Sequence, residues 1–168
     1  MAITRDPAPT SPFSPDHRAE PPGSATQDDL LGLVGYAMKR AFIPIRADLK
    51  QCLKPLGLTQ RSFSVLSVIA ENPGVSQSVM ARTLGIERSG AVPIVDRLEA
   101  DGLIRRQRVA GDRRPKALHV TRAGAALYDR ALAAARAHEG RMLASLDSGE
   151  IETLHRLLRR LNTAAGID

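Results

Sequence analysis

One stretch of the chain, residues 103–121, restricts the fold more than any other. It reads LIRRQRVAGDRRPKALHVT, so two strand-like runs flank a turn at Gly111 and Asp112. Two such runs around a Gly-Asp pair are typical of a β-hairpin. Because unpaired charge is too costly to bury, we expect the cationic tip of this hairpin at the surface, facing an anionic partner. The cations of the tip are Arg113, Arg114 and Lys116.

The positive charge of the chain is concentrated around this hairpin. The 168 residues carry 24 Lys and Arg against 18 Asp and Glu, for a formal net charge of +6. Residues 82–116 hold nine of the cations but five of the anions, so four of the six net charges fall within this segment. A local excess of this kind favours an anionic partner, and the helical segments that precede the hairpin suggest DNA.

Helical periodicity dominates the chain from residue 28 onward. A first helix is predicted over residues 28–53, with a kink or break near residue 43, because Pro44 has no backbone N–H to donate. Thr59 is predicted to cap a second helix that ends at Glu71.

Two shorter helices follow, and their connection is tight. Ser76 is a good N-cap for a helix over residues 77–84, and the next helix is predicted over residues 88–100, with Gly102 as its C-terminal breaker. Two helices joined in this way and followed by a hairpin are typical of a winged helix-turn-helix. The residues expected to face inward from the first of the two are Val79, Met80 and Leu84.

Two further helices are predicted after the hairpin. Thr121 is expected to cap an alanine-rich helix that runs to about Ser145, and Asp147 with Glu150 fits a capping box for the last helix. An apolar stripe runs along the last helix, opposite three arginines. It consists of Ile151, Leu154, Leu157, Leu158 and Leu161.

The outer helices need a surface to bury against. Helices this long would overhang so small a winged domain, and pairing with a twofold copy would cover their apolar stripes. A homodimer would set two recognition helices about one DNA turn apart, roughly 34 Å, which predicts a palindromic operator on double-stranded DNA. A monomer with long surface helices is the alternative.

The predicted fold class is mainly α: a winged helix-turn-helix with a small β-hairpin wing, plus N- and C-terminal dimerisation helices. The Pro-rich composition of residues 1–26 predicts a disordered tail. The N-terminal dimerisation helix is assigned to residues 27–56, the winged helix-turn-helix DNA-binding domain to 57–121, and the C-terminal dimerisation helices to 122–163.

Other classes of protein are disfavoured. Cys52 is the single cysteine, which excludes an internal disulfide and indicates a cytoplasmic protein. No apolar run reaches the ~20 residues that span a bilayer. We find no catalytic constellation, no phosphate-binding loop and no histidines clustered at metal-ligand spacing, so we expect no enzyme, no metal and no cofactor.

Four segments of the chain match a known pattern in order and without large gaps. They are Gly57-Leu58-Thr59, SQSVMARTLGI from Ser76, VDRLEADGLIRR from Val95 and GDRRPKALHVTRAG from Gly111. With these segments the chain resembles the MarR family of multiple-antibiotic-resistance regulators over residues 28–163. The resemblance implies a dimeric transcription regulator, often a repressor, that a small ligand releases from its operator.

The resemblance and the local chemistry together select candidate DNA contacts. A helix N-terminus favours a phosphate, and an arginine early in the recognition helix can read guanine, whereas Val92 can touch a thymine methyl group. The Asp-x-Arg pattern of the family's wing falls on Asp112 and Arg114, so that Arg114 resembles the minor-groove residue. Pro93 stands where many relatives carry a basic residue. The candidates are Ser76, Gln77, Arg88, Ser89, Val92, Arg97, Asp112, Arg113, Arg114 and Lys116.

Three of these candidates also have ordinary structural interpretations. Arg88 is placed to form a surface salt bridge with Glu87 or Asp96 instead, and Arg97 either contacts phosphate or pairs with a neighbouring carboxylate. Arg114 could be a solvated residue of the hairpin tip.

The resemblance also implies a ligand pocket where the first, second and fifth helices meet the winged domain. Aromatic rings beside an arginine would suit a small-molecule effector such as an aromatic carboxylate or its thioester. The alternative is that these are core residues and solvated arginines. The candidates are Tyr36, Arg40, Phe42, Arg46 and Phe63.

Two alternative functions stay open. Cys52 is either an inert core thiol or the oxidant sensor of a redox-responsive repressor. The chain could also be an architectural protein that binds DNA without reading its sequence.

Overall fold

The computed structural model describes residues 26–107 and 117–166, and within them seven helices and three short strands. The chain divides into two compact units, residues 1–44 and 45–168. In chain order the elements are α1 (Asp28–Leu31), α2 (Val34–Leu53), a 3₁₀ turn (Lys54–Leu56), α3 (Gln60–Glu71), β1 (Val75–Ser76), α4 (Gln77–Thr83), α5 (Arg88–Ala100), β2 (Ile104–Gln107), β3 (Ala117–Val120), α6 (Arg122–Met142) and α7 (Ser148–Ala164).

The helical break in the N-terminal unit lies earlier than the sequence predicts. Gly32 and Leu33 separate α1 from α2, and α2 then continues through Pro44 to Leu53. A break near residue 43 was therefore the wrong expectation. Neighbouring turns of a helix this long can hold the segment together although Pro44 lacks one backbone donor.

The hydrophobic core lies in the second unit, residues 45–168. Helices α3, α4 and α5 and the strands β2 and β3 supply most of its buried side chains. The largest of these side chains are Leu53, Leu66, Ile69, Met80, Leu98, Leu118, Val65 and Val95.

Local capping chemistry sets the helix boundaries, and the four predicted N-caps are confirmed. The side chains of Thr59, Ser76, Thr121 and Asp147 each accept a hydrogen bond from a backbone N–H in the first turn of the following helix. Such caps satisfy donors that the helix itself leaves unpaired, and each contributes about 1 kcal/mol. The predicted breaker Gly102 follows α5 with a φ of 69°, the left-handed conformation that glycine adopts most readily.

The predicted hairpin is confirmed in its two arms, and a third strand joins it. Strand β3 lies between β1 and β2 and is antiparallel to both; Ile104 pairs with Val120, and Val75 pairs with Leu118. The predicted turn at Gly111 and Asp112 lies outside the described residues. The two-residue strand β1 was not predicted, because it is too short to show an alternating pattern.

Two local expectations need correction. Val79 does not face inward: it is 45% exposed, whereas Met80 is buried and Leu84 half-buried. Helix α6 ends at Met142, not near Ser145. The position of Val79 follows from the helical repeat, since the residue before a buried Met80 points about 100° away from it.

One close approach fixes α6 against the start of the wing. The hydroxyl of Thr121 donates to the carbonyl of Gly102 at 2.7 Å, and the backbone N–H of Thr121 donates to the carbonyl of Leu103 at 3.0 Å. Gly124 is buried there, and a Cβ on it would lie 1.9 Å from the carbonyl oxygen of Leu103. Only glycine fits this position without a backbone shift.

Candidate nucleic-acid interface

The first turns of α5 present the predicted recognition residues at the surface. Arg88, Ser89 and Val92 are all exposed, and among the described residues Arg88 has no ion-pair partner. The Ser89 hydroxyl donates to a carboxylate oxygen of Glu87 at 3.3 Å. The alternative for Arg88, a surface salt bridge with Glu87 or Asp96, is therefore not formed among the described residues. The Arg88 guanidinium is free to contact a ligand.

Pro93 lies inside α5, which is continuous from Arg88 to Ala100. Its own surface is exposed, while Ala91 and Val95 beside it are buried. The recognition helix therefore accommodates the proline on its outer side and keeps its inner side in the core.

Ser76 and Gln77 lie at the start of α4, as the sequence predicts, and both are half-buried. The Ser76 hydroxyl accepts from the backbone N–H of Val79 at 3.3 Å. Ser76 also belongs to β1, where it pairs with Ala117. The residue thus joins the sheet to the helix-turn-helix.

Arg97 pairs with the carboxylate of the residue that caps its own helix. Its Nε donates at 2.8 Å to Oδ2 of Asp101, the residue that directly follows α5 and lies one turn after Arg97. The sequence left two interpretations of Arg97, a phosphate contact or a pair with a neighbouring carboxylate, and the structure contains the pair. Both side chains are well exposed, so this pair stabilises the helix by only a few tenths of a kcal/mol.

Arg106 connects the wing to the recognition helix. From β2, its guanidinium donates to carboxylate oxygens of Asp96 and Glu99 on α5, and its backbone N–H donates to Oε1 of Glu99 at 3.0 Å. Partial burial lowers the pKa of Arg106, but the hydrogen bonds to Asp96 and Glu99 outweigh that effect and leave the pKa raised. This arginine is therefore a fixed structural cation, whereas Arg105 beside it is exposed.

The predicted wing contacts fall between β2 and β3 in the sequence, outside the described residues. They are Asp112, Arg113, Arg114 and Lys116. Strands β2 and β3 lead toward this segment from Gln107 and Ala117.

A cavity of about 350 Å³ opens between α6 and the elements packed against it within residues 45–168. Its walls are mostly apolar, but Arg136 and Glu139 bring charge to them, and His138 adds an imidazole. The ring of Phe63 also lines the cavity and stacks on Tyr128, with 6.4 Å between the ring centroids. The remaining lining residues are Ile45, Leu132, Ala135, Met142 and Leu143.

The structure brings only part of the predicted ligand set to this cavity. Phe63 lines it, whereas Arg46 is exposed on α2 and is not among the lining residues. Tyr36, Arg40 and Phe42 belong to the N-terminal unit, where the Tyr36 hydroxyl donates to the side chain of Gln27 at 2.5 Å.

A polar cluster joins the C-terminal half of α2 to α6. Nδ1 of His138 lies 2.7 Å from Oδ2 of Asp48, and Nη2 of Arg141 donates to the same oxygen at 3.0 Å. Nη2 of Arg141 also lies 3.2 Å from Sγ of Cys52, whose thiol is 3.7 Å from Asp48. The hydrogen bonds from His138 and Arg141 hold the pKa of Asp48 below its usual value, and those to Cys52 and Asp48 raise the pKa of Arg141.

Neither this cluster nor the polar wall of the cavity is visible in the sequence alone. Asp48 and His138 are 90 positions apart, so no short-range spacing reveals their contact. The one local signal is the four-residue interval between Asp48 and Cys52, which puts both on one face of a helix.

The chain is similar to two named transcription regulators over most of its length. A protein of Thauera aromatica that is named as a transcriptional regulatory protein for the hcr operon is 33% identical over 150 residues, which cover 86% of this chain and 90% of that protein. The transcriptional repressor CouR, solved on a 23-mer DNA duplex, is 36% identical with a TM-score of 0.78, and the match covers 83% of this chain and 99% of that one.

Two ligand complexes are also similar to this chain. CouR from Rhodococcus jostii RHA1 bound to p-coumaroyl-CoA is 32% identical with a TM-score of 0.71, over 79% of this chain and 93% of that one. Rv2887 of Mycobacterium tuberculosis, in complex with salicylic acid, is 29% identical with a TM-score of 0.63, over 77% and 96% of the two chains.

A helix-turn-helix with an exposed recognition helix and an attached wing defines a DNA-binding protein. The sequence profile of the MarR family matches residues 56–115, and the relatives match nearly from end to end. The chain belongs to the MarR family, and it is a DNA-binding transcriptional repressor of that type rather than an enzyme. No described helix is both long and apolar enough to span a membrane.

Proposed function

We propose that the protein is a cytoplasmic homodimeric repressor that binds a palindromic operator and is released by an aromatic carboxylic acid or its coenzyme A thioester. The observation that carries this proposal is the exposed start of α5, which is the second helix of the helix-turn-helix and precedes the strand pair β2–β3, on a fold similar to a repressor solved on DNA.

The proposed DNA surface combines groove contacts with phosphate contacts. Arg88, Ser89 and Val92 would enter the major groove from the first turns of α5, and Arg114 would enter the adjacent minor groove from the wing. Ser76 and Gln77 would approach phosphates at the start of α4. Arg113 and Lys116 would add long-range attraction, and Asp112 would orient Arg114. Arg97 has a smaller part, because Asp101 already holds its guanidinium.

Exposed apolar side chains support the dimer. On α7, Leu154, Leu157 and Leu161 are 38%, 44% and 50% exposed and share one face of the helix. Leaving several leucines of one stripe in water is costly, at about 25 cal/mol per Å² of apolar surface, so a second copy of the chain is the expected cover. We assign residues 27–56 and 122–163 to this pairing and residues 57–121 to DNA binding.

The cavity beside α6 supports the choice of effector. A volume of about 350 Å³ is at the small end of ligand pockets and suits one aromatic ring with its acid group. Phe63 offers a ring for stacking and Arg136 a cation for a carboxylate or thioester oxygen. The coenzyme A portion of a thioester would have to extend out of the cavity toward solvent.

Genomic selection followed by a binding titration tests the proposal. Fragments retained by the purified protein should share an inverted repeat, and a labelled duplex with that repeat should resist competition by random DNA. Equal competition would favour the architectural alternative. Adding p-coumaroyl-CoA or salicylate should then release the duplex, whereas acetyl-CoA should not.

Redox control through Cys52 is a second candidate, favoured by one contact. The Arg141 guanidinium lies 3.2 Å from Sγ of Cys52, so a cation contacts this sulfur directly. Peroxide should then abolish operator binding in the wild type but not in Cys52→Ser. Equal peroxide sensitivity of both proteins would exclude this candidate.

A further inference from the structure

We propose that Asp48, Cys52 and His138 form a binding site for a divalent ion of the zinc class, which would clamp the C-terminal half of α2 to α6. Each residue offers one donor atom, and the three donor atoms all lie within 4.8 Å of one another. The set contains one oxygen, one sulfur and one nitrogen. A mixed set of this kind suits Zn²⁺ better than Mg²⁺ or Ca²⁺, which prefer oxygen alone.

The spacing of the donors is close to that of a tetrahedral site. Zinc bonds of about 2.0–2.3 Å place tetrahedral ligand atoms roughly 3.3–3.6 Å apart. Sγ of Cys52 and Oδ2 of Asp48 are 3.7 Å apart, and Nδ1 of His138 and the same oxygen are 2.7 Å apart. The distance between His138 and Asp48 has to widen, and an ion that replaces this hydrogen bond would widen it. The third pair, the donor atoms of His138 and Cys52, lies within 4.8 Å.

The helices hold the donors in place before any ion arrives. Asp48 and Cys52 are one turn apart on α2, so both side chains share a face. The His138 side chain is 5% exposed, so packing fixes its ring, and those of Asp48 and Cys52 are partly buried. A three-ligand site of this type keeps a fourth position for water or another ligand.

Arg141 lies where the ion would bind. Its Nη2 bonds both Asp48 and Cys52, so one guanidinium lies against two of the three donors. The Arg141 side chain is 55% exposed and can withdraw into solvent when an ion enters. The ion would bind the Cys52 sulfur as thiolate, and the thiol proton would pass to solvent. Arg141 and the ion are therefore competitors for the same carboxylate and sulfur.

The site would also connect metal to the effector cavity, because His138 lines that cavity as well. An ion held by Nδ1 would fix the imidazole at the cavity wall.

Titration of the metal-free full-length protein with Co²⁺ tests the proposal without DNA or effector, so its outcome is independent of the repressor function. We expect a thiolate-to-cobalt charge-transfer band in the near ultraviolet, tetrahedral ligand-field bands in the visible, and displacement of both by Zn²⁺. Cys52→Ser should lose the charge-transfer band. Loss of an outer-shell partner alone costs 10–100-fold in metal affinity, so Cys52→Ser and His138→Ala should weaken binding by about tenfold or more.

Arg141→Ala separates a metal site from a simple ion-pair cluster. Removing the competing guanidinium should tighten Co²⁺ binding several-fold, whereas His155→Ala, an exposed histidine on α7, should change nothing. At the same concentration, Zn²⁺ should raise the melting temperature of the wild type more than that of Cys52→Ser. Absence of the charge-transfer band in the wild type, or equal affinities in the wild type and Cys52→Ser, would overturn the proposal.

Discussion

Arg106 bonds Glu99 twice, through its backbone N–H at 3.0 Å and through its guanidinium, and so joins the first strand of the wing to the recognition helix. The same guanidinium reaches Asp96. One side chain, 17% exposed, thus sets how β2 lies against α5. The two parts of the protein that are proposed to contact DNA therefore share one ionic anchor.

Replacing Arg106 should lower the stability of the protein. Arg106→Ala removes hydrogen bonds to two carboxylates that are themselves partly exposed, so we expect a loss of about 1–2 kcal/mol in the free energy of unfolding. Arg106→Lys should recover little of it, because an ammonium group cannot bridge two carboxylates as a guanidinium fork does. Urea unfolding at a fixed protein concentration measures both changes.

Arg105 provides the matched control for Arg106. It is the preceding residue of the same strand, and its exposed side chain points to the other face. Arg105→Ala should change the unfolding free energy by less than about 0.5 kcal/mol. Equal losses for the two variants would mean that the contacts to Glu99 and Asp96 do not anchor the wing.

The sequence was sufficient for the features that depend on local chemistry. The caps at Thr59, Ser76, Thr121 and Asp147 each satisfy donors within three residues, and Gly102 ends α5 through its own backbone conformation. Both partners of such a contact lie close together in the sequence, so the contact can be predicted from it. The order of these elements was in turn sufficient to predict the winged helix-turn-helix.

Features that depend on distant partners could not be predicted. Strand β1 exists because Val75 pairs with Leu118, and the polar cluster exists because α6 brings His138 to Asp48. Nothing near any of these four residues in the sequence specifies its partner. The same holds for the cavity, where Phe63 was the one predicted lining residue and Arg136 was missed.

Gly124 should tolerate no side chain. The Cβ of Gly124→Ala would lie 1.9 Å from the carbonyl oxygen of Leu103, and that oxygen is backbone, so α6 must move away from the wing. We expect a loss of about 3 kcal/mol in unfolding free energy. Gly140→Ala is the control on the same helix, since its Cβ would meet nothing within 4 Å, and it should stabilise the protein by about 0.5–1 kcal/mol. If the melting temperatures of both variants shift in the same direction, the steric explanation for Gly124 is wrong.

Leu157 should matter for assembly. Leu157→Asp puts a carboxylate into the exposed apolar stripe of α7, and burying an unpaired charge between two copies is too costly for the dimer to persist at micromolar concentration. Arg159→Asp introduces the same residue on the opposite face and should leave the dimer intact. Light scattering after size exclusion gives both masses. If the wild-type protein has the mass of a monomer, the proposed dimer is wrong.

Arg88 should carry sequence preference. Arg88→Ala is expected to weaken binding to the selected operator by about 1–3 kcal/mol and to relax preference at one base pair, because a bidentate contact to guanine is lost. Arg97→Ala should cost less, since Asp101 already engages its guanidinium, and Arg130→Ala on α6 should cost nothing. Anisotropy titrations at one fixed salt concentration compare the three. Equal losses of operator affinity in Arg88→Ala and Arg130→Ala would mean that both arginines act only through long-range attraction.

Arg136 should control release by the effector without changing DNA affinity in its absence. It is the cation in the wall of the cavity, and a charge-assisted hydrogen bond to an acid or thioester oxygen is worth about 1.5–3 kcal/mol. Arg136→Ala should therefore raise the effector concentration needed for half-release of the operator by roughly 10–100-fold. Arg122→Ala, at the exposed start of the same helix, should leave that concentration unchanged because Arg122 does not line the cavity. An unchanged release curve for Arg136→Ala would mean that the effector binds elsewhere. Operator binding by the same variant without effector tests the DNA-binding surface separately.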